Sequence, residues 1–365
     1  MMLNAVELLR DAATLTDSVR LVDRILRAGL LMRASDAHFD PMPSGVRVRF
    51  RIDGMLEEVF TIPPSMASGV TSRLKVLSSL DIAEKRAPQD GGFSWRMIGS
   101  QHNSLDVRMA TLPVRHGERI TLRLLESGGR RLGIDDLGFN PSHKAMFIKA
   151  LTNPQGLVLL TGPTGSGKTT TLYAAINYLL SLSPKNILTV EDPIEYEISG
   201  VAQAEVDSSD KVNFTKALKS LLRHDPDVVM IGEIRDGASL DAAVKASLTG
   251  HLVLSTLHSG SAKGALTRLV DMGLDAPLAT STLNMAVAQR LVRRLCPVCG
   301  GKKRSCESAS VCHECAGRGY KGRVGLFELY SPALGIDTSI ADDAREKIAT
   351  GVTSELEVAR VMGED

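Results

Sequence analysis

The sequence predicts an α/β protein: a parallel-sheet P-loop core, a small α+β domain in front of it, and a tetracysteine module. Three observations predict this. Beyond residue 133, short apolar runs alternate with stretches of helical length, the pattern of a parallel sheet with crossover helices. Within that pattern, LVLLTGPTGSGKTTTLYAAI sets a glycine-rich loop between an apolar strand and a helix. Further on, Cys296, Cys299, Cys312 and Cys315 stand as C-x2-C-x12-C-x2-C. A length of 365 residues suits two domains and a small appended module. The chain is 43% hydrophobic and 23% charged with a net charge of +1, so it lacks the global basic field of a nucleic-acid binder. No apolar run approaches the ~20 residues that span a bilayer. The start, MMLNAVELLRDAATLTD, lacks the charged-then-apolar layout of a signal peptide. All five cysteines lie between 296 and 315, unlike a disulfide framework, so the expected compartment is the cytoplasm.

Residues 21–34, LVDRILRAGLLMRA, space apolar side chains as an amphipathic helix does. GVRVRFRIDG then alternates strictly, with Val46, Val48, Phe50 and Ile52 on one face and Arg47, Arg49, Arg51 and Asp53 on the other. That is a half-buried strand ending in an Asp-Gly turn. A helical stretch near 64–80 and the turn-rich KRAPQDGG follow. LDVRMATLP and ERITLRLLE read as strands flanking a turn at His116 and Gly117. The expected order is α-β-α-β-β, closing a domain over residues 1–126. SGGRRLG at 127–133 is small and polar, a linker. The second domain then covers 134–365, with the cysteine module at about 293–326 and a short helical tail at 331–365.

GPTGSGKT fits G-x-x-x-x-G-K-[ST] and follows the apolar strand Leu157–Leu160. Gly162, Gly165 and Gly167 let the backbone wrap a phosphate closely, and the helix N-terminus behind them adds positive potential. Pro163, Thr164, Ser166 and Thr170 complete the expected nucleotide contacts. Lys168 is expected on the β- and γ-phosphates, and Thr169 on Mg²⁺. A nucleoside triphosphate is the expected ligand. Hydrolysis also needs acids beside the metal and the attacking water. NILTVEDPIEYE supplies Glu191, Asp192 and Glu195 after a β-rich run, where open α/β sheets place their ligands. Standing alone it would be a solvated acidic turn. DPDVVMIGEIRD, however, brings Glu233 off a second apolar strand as a Walker B acid for Mg²⁺, with Asp236 behind. GHLVLSTLHS adds His251 and His258, a pair that residue chemistry alone fits to packing or to phosphate sensing.

Read together, GPTGSGKTTTLYAAI, ILTVEDPIEYEI, DPDVVMIGEIRD, TGHLVLSTLHS and AQRLVRRLCPVC resemble, in order and spacing, the secretion ATPases. Within these they look like the type II secretion and type IV pilus assembly ATPases, and the likeness runs from about residue 20 to about 330. RASDAHFDP, VRVRFRIDG and APQDGG are similar to that family's second amino-terminal domain. The resemblance implies a RecA-like core and a hexameric ring that hydrolyses ATP at subunit boundaries. It implies that Glu195 is the general base, Glu233 the Walker B acid, and His251 and His258 a histidine box. It also implies that Arg108 and Arg123 reach the γ-phosphate from the amino-terminal domain. A guanidinium there is worth about three to five decades of rate in GTPases. Two departures stand out. Ala37 and Phe39 replace the family's usual isoleucines, a packing change, and the membrane-partner-binding first domain of larger members is expected to be absent. The tail after Tyr330 matches the family poorly.

Four thiolates close a tetrahedral structural site, with zinc the default metal in a reducing compartment. An alternative set exchanges one ligand for Cys306, and redox chemistry of the CxxC pairs is a second alternative. Family members that assemble pili or secretion fibres resemble this chain in carrying such a cassette, whereas retraction motors usually do not. The implied function is therefore an ATPase motor acting on a polytopic inner-membrane platform protein. Two other readings stay open. One is a nucleic-acid motor using Arg290, Arg293, Arg294, Lys302, Lys303 and Arg304, although base-stacking aromatics are scarce there and no nucleic acid is expected. The other is a nucleotide-binding assembly factor of low turnover.

Overall fold

The computed structural model describes residues 17–97, 104–127, 132–206, 214–302 and 312–363. The chain divides into two compact bodies: Met1–Arg130 with Leu295–Gly322, and Arg131–Arg294 with Arg323–Asp365. The linker expected at 127–133 lies mostly outside the described residues.

In the first body, α1 (Ser18–Leu31) is capped by Asp17, whose side chain accepts from the Val19 N–H. Strands β1 (Ala34–Met42), β2 (Gly45–Ile52) and β3 (Met55–Ile62) follow, then α2 (Pro64–Leu77). Strands β4 (Gln89–Arg96), β5 (Ser104–Val114) and β6 (Gly117–Ser127) complete a six-stranded antiparallel sheet in the order β3-β2-β1-β6-β5-β4. The expected elements are present, but the sheet holds three further strands. β1 and β3 pair with the arginine-rich β2 on either side. β4 takes in Gln89–Gly92, so the second half of KRAPQDGG is strand rather than loop. Two glycines hid it: the weak β-propensity of DGG is outvoted by pairing with β5. Ala37 and Phe39 are both buried beneath α1 and α2, in keeping with a packing role. The opposite face is polar, with Arg47, Arg49 and Arg51 across from Asp40, His38 and Asp36.

The second body alternates helices with parallel strands. α3 (Pro141–Leu151), β7 (Gly156–Thr161), α4 (Lys168–Leu182), β8 (Ile187–Glu191) and β9 (Ala202–Glu205) come first. α5 (Phe214–Leu221), β10 (Val228–Ile231), α6 (Gly237–Leu248), β11 (Leu252–Leu257), α7 (Ala262–Asp271) and α8 (Ala276–Thr282) follow. β12 (Leu283–Leu295), β13 (Tyr320–Ser331), β14 (Ile336–Asp337), α9 (Ile340–Ala349) and α10 (Glu355–Met362) close the chain. The eight-stranded sheet runs β14-β13-β12-β7-β11-β10-β8-β9, and β12 through β9 are parallel. Such strands are covered on both faces and so carry near-continuous apolar runs. Val158, Leu160, Met230 and Leu254 pack against α3 and α4, while Leu157, Leu159, Val229 and Val253 pack against α6 and α7. The crossovers bring the carboxyl ends of β7, β11, β10 and β8 side by side along one sheet edge.

Candidate active site and metal centre

Each functional residue of the second body enters from that edge. The phosphate loop leaves β7 with Gly162, Gly165 and Gly167 all at positive φ. A side chain at 162 would meet the Gln289 carbonyl oxygen at 2.5 Å, and one at 167 the Gln289 side-chain amide at 2.8 Å. Glycine is required at both. Gln289, buried on β12, also accepts a hydrogen bond from the Thr171 hydroxyl at 2.8 Å, pinning the start of α4. Arg290 beside it donates to the Gly260 carbonyl at 3.0 Å. Lys168 opens α4 and donates to the carbonyls of Gly162 and Pro163 at 2.8 and 3.1 Å. Burial lowers its ammonium pKa, Glu233 opposes that shift, and Arg290 adds to it. Pro163, Thr164 and Gly165 are exposed, and Thr169 and Thr170 are half-buried. The Ser166 hydroxyl is buried with no hydrogen-bond partner in the protein, as a phosphate cradle leaves its donors.

Glu233 follows β10, and its two oxygens are divided. Oε1 lies 2.7 Å from Nε2 of His258, which follows β11. Oε2 accepts from Nε of Arg235 at 2.6 Å, and the same guanidinium reaches Asp192, after β8, at 3.0 Å. The Glu233 hydrogen bond raises the Arg235 pKa further. Asp192, Glu233, Arg235 and His258 thus form one chain of polar contacts across the edge. Asp236 lies outside this chain: it caps α6, accepting from the Ser239 N–H. His251 precedes β11, its ring against the Ala246 carbonyl at 3.0 Å. Six strand residues, about 20 Å, separate the two histidines, so of the two His258 is the one that joins Glu233.

The acidic segment after β8 divides in role. Glu191 is 2% exposed and accepts from Tyr173, from Thr189 at 2.6 Å and from Gln203 at 3.0 Å. Asp192 and Glu195 are exposed, and the Asp192–Pro193 peptide is cis. Gln289, Tyr173, Arg235 and Arg290 were missed by sequence reasoning as members of this site. Arg235, two residues from Glu233, carried a readable signal; Gln289 carried none, because it arrives from a strand more than a hundred residues away.

In the first body Arg108 and Arg123 are directly opposite across β5 and β6, on the polar face. Arg123 is 62% exposed, and its Nε lies 3.3 Å from Asp36.

Cys296, Cys299, Cys312 and Cys315 place their sulfurs within 4.8 Å of one another. The pairs Cys296–Cys312 and Cys299–Cys315 are 3.8 and 3.7 Å apart. A tetrahedron with Zn–S bonds of ~2.3 Å has edges of ~3.8 Å, so the residues fit zinc. Backbone N–H groups of Cys315 and Glu314 lower the Cys312 thiol to about 7, whereas burial pushes Cys315 up to about 12. Cys306 lies outside the described residues. The module was expected inside the 134–365 domain; it groups instead with the first body. There Arg318 pairs with Glu57 at 2.8 Å, and the Gly322 N–H donates to Asp53 in the β2–β3 turn at 2.8 Å. The basic cluster is also divided. Arg290 is engaged with the Gly260 carbonyl and Arg293 with buried Glu357, while Lys303 and Arg304 lie outside the described residues.

A family model described as "Type II/IV secretion system protein" matches residues 11–364. The match takes in the tail after Tyr330, which the sequence comparison above set apart. Similar proteins include "Type II secretion system protein E" of Pseudomonas aeruginosa, 43% identical over 95% of this chain and 76% of the relative. "Type II secretion system ATPase E" of Vibrio cholerae is 42% identical over 95% and 75%. "Type IV pilus assembly ATPase PilB" of Myxococcus xanthus is 43% identical over 85% and 58%. Among solved structures, the Legionella pneumophila ATPase DotB aligns at a TM-score of 0.72 and 21% identity, covering 94% of this chain and 95% of that one. At that identity the likeness speaks for the fold.

Proposed function

Because the chain belongs to the type II/IV secretion system protein family, we propose that it is the ATP-hydrolysing motor driving assembly of a type IV pilus or a type II secretion pseudopilus. The observation that carries this reading is the sheet edge where Lys168 of the phosphate loop feels the charge of Glu233, which is paired with His258 from the adjacent strand end. In this reading Gly162 through Thr170 cradle the triphosphate, Thr169 and Glu233 would hold Mg²⁺, and Glu195 takes the proton of the attacking water. A bound magnesium ion would neutralise charge on the β- and γ-phosphates. His258 orients Glu233, and Arg108 and Arg123 supply positive charge to the transferred phosphoryl group. The placement of the two exposed arginines directly opposite each other on β5 and β6 supports that role.

The motor works as a hexameric ring on the cytoplasmic side of the inner membrane and acts on a polytopic platform protein. Among the described residues no helix is long and apolar enough to cross a membrane, in keeping with attachment through a partner. Four buried or half-buried thiolates would hold a structural zinc ion. The internal engagement of Arg290 and Arg293 argues against a nucleic-acid surface. ATP turnover of the wild type against Lys168→Ala and Glu195→Gln tests the reading. Each variant is expected to lose at least about a hundredfold in kcat. Lys168→Ala should also bind nucleotide more weakly. Equal rates in all three would overturn the enzyme reading in favour of an assembly factor.

A further inference from the structure

The segment between β8 and β9 carries Glu195, and side chains hold its backbone from two directions. From β9, Glu205 accepts from the Ile194 N–H at 3.0 Å, and Gln203 accepts from the Ile198 N–H at 2.7 Å. From α4, the helix of the phosphate loop, comes Tyr173. Its hydroxyl donates to Oε2 of Glu191 and accepts from the Glu195 N–H at 3.4 Å. Its ring is fully buried and meets Tyr196 of the same segment edge-on, with centroids 4.6 Å apart.

These contacts form a relay. A hydroxyl that donates to a carboxylate becomes a better acceptor, so the bonds from Glu195 through Tyr173 to Glu191 reinforce one another. Burial, and then the Glu191 hydrogen bond, push the Tyr173 phenol well above its usual range, which keeps it a donor at any physiological pH. Glu191 is already saturated by Thr189 and Gln203 at its other oxygen, so the anchor beneath the hydroxyl is fixed. Lys168 opens the helix that carries Tyr173 five residues later, so both move as one rigid piece.

We propose that Tyr173 is a positioning residue for ATP hydrolysis, tying the phosphate-loop helix to the backbone of Glu195 so that this acid is aimed while the helix is seated on phosphate. The proposal rests on Glu195 as the general base. An exposed acid on a loop needs support from rigid elements, and a displacement of ~1 Å at a reacting group costs on the order of a hundredfold in rate.

The experiment measures steady-state ATP turnover, and affinity for a non-hydrolysable ATP analogue, in the full chain with Tyr173→Phe, Glu195→Gln and both together. Phenylalanine keeps the ring and its contact with Tyr196. Tyr173→Phe is expected to lower kcat by roughly tenfold to a hundredfold, with KM and analogue affinity within about threefold of wild type. Added to Glu195→Gln it should lower turnover no further, because both changes remove one function. Glu191→Gln, which weakens the acceptor under the hydroxyl, should give a smaller loss confined to kcat. It also keeps the proposal testable if Tyr173→Phe does not fold. Unchanged kcat in Tyr173→Phe beside an inactive Glu195→Gln overturns the positioning role and leaves the base assignment standing. Full turnover in Glu195→Gln removes the base and the proposal with it. Losses that multiply in the double variant assign Tyr173 a general structural role and also overturn it.

Discussion

Gln289 lies on the strand beside the phosphate loop, where no motif marks it. It accepts the Thr171 hydroxyl, and its carbonyl oxygen stands where a side chain at Gly162 would be. Gln289→Leu leaves a buried hydroxyl unpaired, so unfolding should show a loss of about 1–3 kcal/mol. No loss would mean the loop is held from elsewhere. Glu357 teaches a related lesson in the tail. Burial alone would push its carboxyl up, but Arg360 and Arg293 outweigh burial and hold it at about 2. Its folded pKa is depressed from an ordinary 4.5, so its stabilisation is complete above about pH 4.5 and is lost as pH falls towards 2. The shift corresponds to about 3 kcal/mol. Glu357→Gln should therefore destabilise the second body by roughly that amount at pH 7 and flatten its acid sensitivity between those limits. Equal wild-type and variant curves across that window would contradict the assignment. The phosphate loop was legible because a contiguous motif carries it; Gln289 and Glu357 act through contacts distant in sequence.

The cysteine module shows the same division at the scale of an element. Its ligand spacing was readable, since tetrahedral closure needs only two knuckles and a loop. Its docking surface was not, because Glu57 and Asp53 precede Arg318 and Gly322 by more than 260 residues. Metal analysis should find one zinc per chain in the wild type, and less in Cys299→Ser, with nucleotide affinity unchanged. Loss of affinity would place the metal at the wrong site. Chelation should also raise hydrogen exchange in the β2–β3 turn as well as in the module. A double-mutant cycle between Glu57 and Arg318 should return a coupling of about 1 kcal/mol, as their side chains are 32% and 16% exposed. Zero coupling would reduce the contact to a coincidence of surfaces. Strands β1 and β4 were illegible for another reason: polar and glycine residues become strand only when neighbouring strands claim their backbone groups, whereas β3, MLEEVFTI, carries an apolar signal of its own.

For the whole molecule, the role proposed for Arg108 and Arg123 carries its own test. Arg123→Ala should lower kcat by two or more decades with nucleotide affinity little changed, read by steady-state turnover beside equilibrium binding. A loss confined to affinity would make Arg123 a binding residue instead. Hydropathy alternation and ordered motifs by themselves determined an α/β core with a phosphate loop, an α+β domain before it and four thiols at metal-ligand spacing. These depend on spacing along one strand, helix or loop, which a linear pattern carries. Only the tertiary structure decided that His258 and not His251 meets Glu233, and that Glu191 is an anchor rather than a free acid. It also decided that the cysteine module packs with the first body. Each of these depends on which strand ends the crossovers bring together and on which distant partners compensate a buried charge, and pairwise contacts of that range leave no period in the sequence.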